Sequence, residues 1–98
     1  MIMEKLSESQ IQEKLIAISG WSYEDGSITK SYQFKDFKEA FTVMTRIAFE
    51  CEAQNHHPEW ENVYNSLTIK LNTHDAGGIT QNDFDLATSI ENITSSQF

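Results

Sequence analysis

All three histidines of this 98-residue chain fall between positions 56 and 74. Two are adjacent, in Asn55-His56-His57-Pro58, and the third, His74, closes the alternating stretch Ser66–His74. Imidazole titrates nearest neutrality, so a cluster of this kind suits proton transfer, and, if the rings converge, metal binding. A zinc site needs several ligands meeting at one point at about 2 Å. Neighbouring side chains on extended backbone point to opposite faces, and no H-x-H, H-x-x-x-H or C-x-x-C spacing helps them converge. Spacing therefore disfavours a metal without excluding it. Acid and base work asks only for an imidazole on each side of a flat substrate. Trp60 and Tyr64 could wall such a ring, although aromatic residues at strand positions also serve as ordinary core. His56 has a further reading, since a helix C-terminus favours an imidazolium. Covalent catalysis is the weakest option: Cys51 sits within a helical pattern, where a buried structural thiol is the expected role, and there is no G-x-S-x-G. Gly77-Gly78 makes no phosphate-binding fingerprint.

The elements that must hold these residues follow from periodicity. LSESQIQEKLIAISGW opens with a capping box, Ser7 with Gln10, places Ile11, Leu15 and Ile18 on one helical face and stops at Gly20. Trp21 to Phe34 alternates about an Asp-Gly-Ser turn and predicts a hairpin. KDFKEAFTVMTRIAFECEAQN predicts the central helix, capped by Asp36 with Glu39. Its apolar stripe runs through Phe37, Ala40, Phe41, Met44, Ile47, Ala48 and Cys51, and Val43 and Phe49 widen it enough for a second buried contact. Pro58 predicts the end of that helix and turns both imidazoles toward the sheet. WENVYN and SLTIKLNTH read as a second hairpin turning near Asn65 and Ser66, with Leu67, Ile69, Leu71 and Thr73 on one face and Thr68, Lys70, Asn72 and His74 on the other. Thr80 and Asp83 form a T-x-x-D box ahead of a last helix carrying Phe84, Ala87, Ile90 and Ile93. The expected fold is α+β, in the order α-β-β-α-β-β-α: a four-stranded antiparallel sheet with three helices on one face. It forms one domain over residues 1–98, with 1–6 and 95–98 frayed.

Length and charge narrow the function classes. A chain of this size buries only about 60–65% of its unfolded surface, enough for one modest core. Fifteen acidic residues against seven basic ones give a net charge of −8, which repels phosphate backbones and anionic lipid. Nucleic acid and membrane are not expected partners. The N-terminus has no signal-peptide pattern, and a cytoplasmic protein is the expectation.

Taken in order, Glu52, three residues, His56-His57-Pro58, five residues, Tyr64, nine residues, His74, eight residues and Asp83 resemble the signature of the pterin-4a-carbinolamine dehydratase family, also called dimerisation cofactor of a homeodomain transcription factor. The likeness runs from about Gly20 to Asn92. It implies the same α+β order, assembly as homodimers or homotetramers, and dehydration of 4a-hydroxytetrahydropterins to quinonoid dihydropterins, which recycles tetrahydrobiopterin for aromatic amino acid hydroxylases. No metal and no organic cofactor are implied. His56, His57 and His74 match the family's active-site histidines and Asp83 its acidic site residue. His56 and His74 are expected to transfer protons, His57 mainly to position substrate, and Glu52, Trp60 and Tyr64 to bind it. Asp83 can cap the last helix and orient an imidazole together. The alternative function is that of a protein-binding coactivator, nuclear in that case, which binds the dimerisation region of a transcription factor through the wide apolar stripe of the central helix.

Overall fold

A computed structural model describes residues 4–97. Helix α1 spans Glu8–Leu15, strands β1 and β2 span Ser22–Glu24 and Ser27–Gln33, and helix α2 spans Phe37–Gln54. Strands β3 (Glu59–Val63) and β4 (Ser66–Leu71), a 3-10 turn at His74–Ala76 and helix α3 (Gln81–Gln97) complete the chain. The sheet order is β1-β2-β4-β3 with every neighbouring pair antiparallel, so the α+β arrangement is the expected one. Of the ends expected to fray, residues 1–3 and 98 lie outside the described residues. The Leu6 amide is tied to the Ile79 carbonyl at 2.8 Å, and α3 is helical to Gln97.

Alternation along β2 and β4 sends Ile28, Leu67, Ile69 and Leu71 into one core with Ile11 of α1, Ala40, Val43, Ile47 and Cys51 of α2 and Phe84, Leu86, Ala87 and Ile90 of α3. The other sheet face is polar, with Thr29 opposite Lys70 and Ser31 bonded to Thr68 at 2.9 Å. The first hairpin turns at Asp25-Gly26, with φ angles of 50° and 80°. Two left-handed residues in succession are what a type I′ turn requires. Glu91 of α3 fastens that hairpin to the helix layer: one carboxylate oxygen accepts from the Trp21 indole at 3.2 Å, from Lys30 at 2.7 Å and from the Tyr32 hydroxyl. Burial pushes Glu91 up, but the donors Lys30, Tyr32 and Trp21 outweigh it and hold its carboxyl below the usual range. Burial, then the bond to Glu91, pushes the Tyr32 phenol far up, so it remains a donor throughout the physiological range.

Several details differ from the sequence reading, beginning with α1, which ends at Leu15 with Ile16 as its C-cap rather than running to Gly20. Helix α2 is ended by Asn55, three residues before Pro58. Asn55 is left-handed at φ 52°, and its amide and that of His56 bond back to the carbonyls of Glu52 and Cys51 at 3.3 and 3.0 Å. This is a Schellman motif, and the proline follows a stop already made. The core line of α2 is Ala40, Val43, Ile47 and Cys51, so Val43 belongs to the core, while Phe37, Phe41 and Phe49 are exposed. Close approach of the helix to the sheet selects the narrower residues and turns the aromatic ones outward. The capping pair of α2 is half a box: Asp36 accepts from the Glu39 amide at 2.9 Å, but Glu39 reaches past it to the Lys35 amide at 2.7 Å. Strand β4 stops at Leu71, because Thr73 pairs instead with Gly78 in an isolated bridge that folds His74 into the 3-10 turn.

Candidate active site

The end of α2, the start of β3, the Thr73–Gly78 loop and the start of α3 meet at one corner of the sheet. His56, delivered by the Schellman turn, is mostly buried, and its Nε2 lies 2.5 Å from Asp83 Oδ1. Asp83 is wholly buried in the first turn of α3. Its second oxygen, Oδ2, accepts from the Thr73 hydroxyl and the Thr80 amide, each at 2.9 Å. The Thr80 hydroxyl accepts from the Asn82 amide at 3.2 Å and contacts the Thr73 hydroxyl at 2.8 Å. The T-x-x-D box thus caps the helix and aims a carboxylate at an imidazole, both roles at once. A buried carboxylate is tolerable here because three donors and the helix N-terminus compensate its lost hydration.

His57 points away from the buried pair. It is exposed, with Nε2 2.6 Å from Glu52 Oε2 on the last turns of α2, so the two imidazoles of the tandem do not both turn toward the sheet. His74 is exposed on the far side of the corner, with Nε2 3.6 Å from Glu59 Oε1 at the start of β3. Each histidine has its own carboxylate, in three separate pairs. Among the described residues no group of three or more His, Cys, Asp or Glu is placed to hold one metal ion. Glu59 was not singled out from sequence, although a carboxylate directly after His57-Pro58 was the available signal.

The remaining candidates divide. Trp60 is half-buried on the helix-facing side of β3 and, with Glu52, lines an apolar groove of about 410 Å³ completed by Phe41, Met44, Thr45, Ala48 and Phe49. Tyr64 is exposed on the β3–β4 turn at φ 51°. One strand length, roughly 16 Å at ~3.3 Å per residue, separates it from the histidine corner, and this chain does not bring it there. A shallow polar depression of about 280 Å³ beside His74 is lined by Asn72, Thr73, Gly77 and Gly78 among others.

A family model described as pterin 4 alpha carbinolamine dehydratase matches residues 4–93 of the chain. The chain belongs to that family. Two bacterial relatives provisionally named as pterin-4-alpha-carbinolamine dehydratases come from Christiangramia forsetii, at 61% identity over 97% of this chain and 98% of the relative, and from Solibacter usitatus, at 55% over 89% and 92%. The crystal structure of a transcriptional coactivator/pterin dehydratase from Brucella melitensis superposes with a TM-score of 0.89 at 40% identity, covering 92% of this chain and 98% of that one. For this member of the pterin 4 alpha carbinolamine dehydratase family, no helix among the described residues is long and apolar enough to cross a membrane.

Proposed function

We propose that the chain, working as one domain, dehydrates 4a-hydroxytetrahydropterins, the pterin-4a-carbinolamines, to quinonoid dihydropterins, and so recycles tetrahydrobiopterin for aromatic amino acid hydroxylases. What carries this reading is the buried His56–Asp83 pair at the corner flanked by His57 and His74, in a chain of this family. Expulsion of the C4a hydroxyl as water needs a proton on the leaving oxygen. The cation left behind is delocalised into the pterin ring and must lose a ring N–H proton. Two imidazoles of opposite protonation state perform both transfers near neutral pH, with no nucleophile and no resident metal. His56 and His74 are the proton-transfer residues and His57 positions substrate, held by Glu52. Glu52 and Trp60 extend the binding surface along the groove. The test is the rate of dehydration of 4a-hydroxytetrahydrobiopterin above its spontaneous loss, with and without chelator, for the wild type and for His56→Ala, His57→Ala and His74→Ala. No acceleration by the wild type defeats the proposal, and loss of activity in chelator restores the metal reading.

A second reading is favoured by a separate observation. Phe41, Met44, Phe49 and Trp60 line an apolar groove between α2 and β3, a surface suited to another protein or another copy of the chain. The coactivator description of the Brucella melitensis neighbour supports the same use. We propose homo-oligomerisation through this face, with a transcription-factor dimerisation region as the alternative occupant. A strictly monomeric mass in solution at micromolar concentration would contradict the self-association.

A further inference from the structure

The hydrogen bonds around Asp83 run in one direction. A backbone amide only donates. The Asn82 N–H therefore fixes the Thr80 hydroxyl oxygen as its acceptor at 3.2 Å. An ionised carboxylate only accepts. The Thr73 hydroxyl accordingly spends its single proton on Asp83 Oδ2 at 2.9 Å. The 2.8 Å contact between the two hydroxyls is then filled by the proton of Thr80. The Thr80 amide gives Oδ2 a second donor at 2.9 Å. Every proton in this buried chain points toward the carboxylate, which leaves Oδ1 facing His56 Nε2 at 2.5 Å, and Oδ1 too can only accept.

The Nε2 atom must then carry hydrogen, and in a neutral imidazole the other nitrogen is bare. No hydrogen bond from another described residue fills His56 Nδ1, and no buried side-chain nitrogen or oxygen among the described residues lacks a partner, so Nδ1 reaches solvent. We infer that the Asp83 carboxylate, held by the directed chain Asn82–Thr80–Thr73, locks neutral His56 as its Nε2–H tautomer, that His56 exchanges protons with substrate through Nδ1, and that Thr73 is the positioning residue that holds the carboxylate against the ring. The clause about substrate rests on the dehydratase reading; the tautomer does not. The other titratable groups at the corner pair among themselves, Glu52 with His57 and Glu59 with His74, and leave Asp83 as the charge that faces the His56 ring.

The deciding experiment is long-range proton–nitrogen NMR on the ¹⁵N-labelled full chain, above the titration of its histidines, with His56→Gln used to assign the ring. The wild type shows neutral His56 with hydrogen on Nε2 and a bare Nδ1. Thr73→Val removes one of the two donors that hold Asp83 Oδ2, so the carboxylate sits less firmly against the ring and the His56 Nε2–H resonance shifts while the tautomer is kept. In the dehydratase assay kcat falls about 3- to 10-fold with KM unchanged, as for a weakened proton-transfer group, and Thr73→Ser restores both readouts. A neutral His56 with hydrogen on Nδ1, an even mixture of tautomers, or a folded Thr73→Val with an unmoved Nε2–H resonance overturns the inference. Should Thr73→Val not fold, the wild-type spectrum decides. An inactive wild type with the Nε2–H tautomer defeats the dehydratase reading and the Nδ1 role while leaving the lock in place; an active one with the opposite tautomer defeats the inference alone.

Discussion

Asp83→Asn separates helix capping from the proposed chemistry at a residue that touches both the Thr80 amide and the His56 ring. The substitution keeps size and shape in a wholly buried site. The amide oxygen can still accept from the Thr73 hydroxyl and the Thr80 amide, so most of the cap survives. The amide nitrogen is then left facing His56 Nε2, where a carboxylate had accepted at 2.5 Å. Two donors then oppose each other. Loss of that charge-assisted bond costs about 1.5–3 kcal/mol. For a domain of this length each kcal/mol moves Tm by about 4–8 °C, so a cost near 2 kcal/mol predicts a fall of roughly 8–16 °C with folding still cooperative at ~25 °C. The histidine can relieve the clash only by turning over its protonation, with hydrogen on Nδ1 and none on Nε2. General acid–base groups contribute about 10²–10⁴-fold, so kcat should drop about 100-fold or more while KM changes little. Thermal unfolding by circular dichroism gives the first quantity and the corrected rate of quinonoid product formation the second. A variant with the expected Tm loss but kcat within about twofold of wild type would reduce Asp83 to a cap and remove the His56–Asp83 pair from the chemistry.

Cys51 is buried in α2, and burial pushes its thiol up to about 11. Thiol reagents should label it only as fast as the native state opens, with full labelling in denaturant. Rapid labelling of the folded protein would contradict its place in the core. Glu91 has a folded-state pKa held below its ordinary value of 4.5. It therefore stabilises the fold above that ordinary value, and the contribution is lost as pH falls from there through the lowered one. Glu91→Gln should flatten the acid limb of a stability-against-pH curve measured by urea unfolding, and an unchanged limb would show that the Trp21–Lys30–Tyr32 network contributes nothing there. Phe49→Asp places a charge in the groove beside Phe41 and Trp60 without touching the core, and should lower the solution mass toward that of a monomer with Tm of the isolated fold preserved. A mass unaffected by Phe49→Asp would mean that association, if any, uses another face.

The legible parts of this molecule are those decided by neighbours within four residues or by strict alternation. Ser7 with Gln10 forms its capping box at 3.1 and 2.8 Å, and the parity of β4 puts Leu67, Ile69 and Leu71 in the core as read. The T-x-x-D box at Thr80 carries its two meanings openly. What escaped was set by longer reach. Helical periodicity marks two adjacent stripes on α2 but does not say which meets the sheet, and the narrow one won because it lets the layers approach. A left-handed Asn at position 55 ends the helix before Pro58 can, since the Schellman bonds satisfy carbonyls that a proline would leave open. Strand length separates Tyr64 from the histidines although only six residues intervene between it and His57. Glu59 went unnoticed because a strand-start glutamate resembles any edge charge until His74 comes back beside it.

The Asp83 network also carries a consequence for how the chain folds. Its contacts join residues 27 apart in sequence, His56 to Asp83, and 10 apart, Thr73 to Asp83, and they need α2, the sheet and α3 docked together. Closing loops of that size is entropically opposed until the surrounding apolar contacts compensate. The imidazole–carboxylate pair is therefore absent from any early hairpin or isolated helix, and a fragment ending before Gln81 has half of it. During refolding, recovery of the His56 proton signal should coincide with the last cooperative step, which makes this imidazole a reporter of a completed chain.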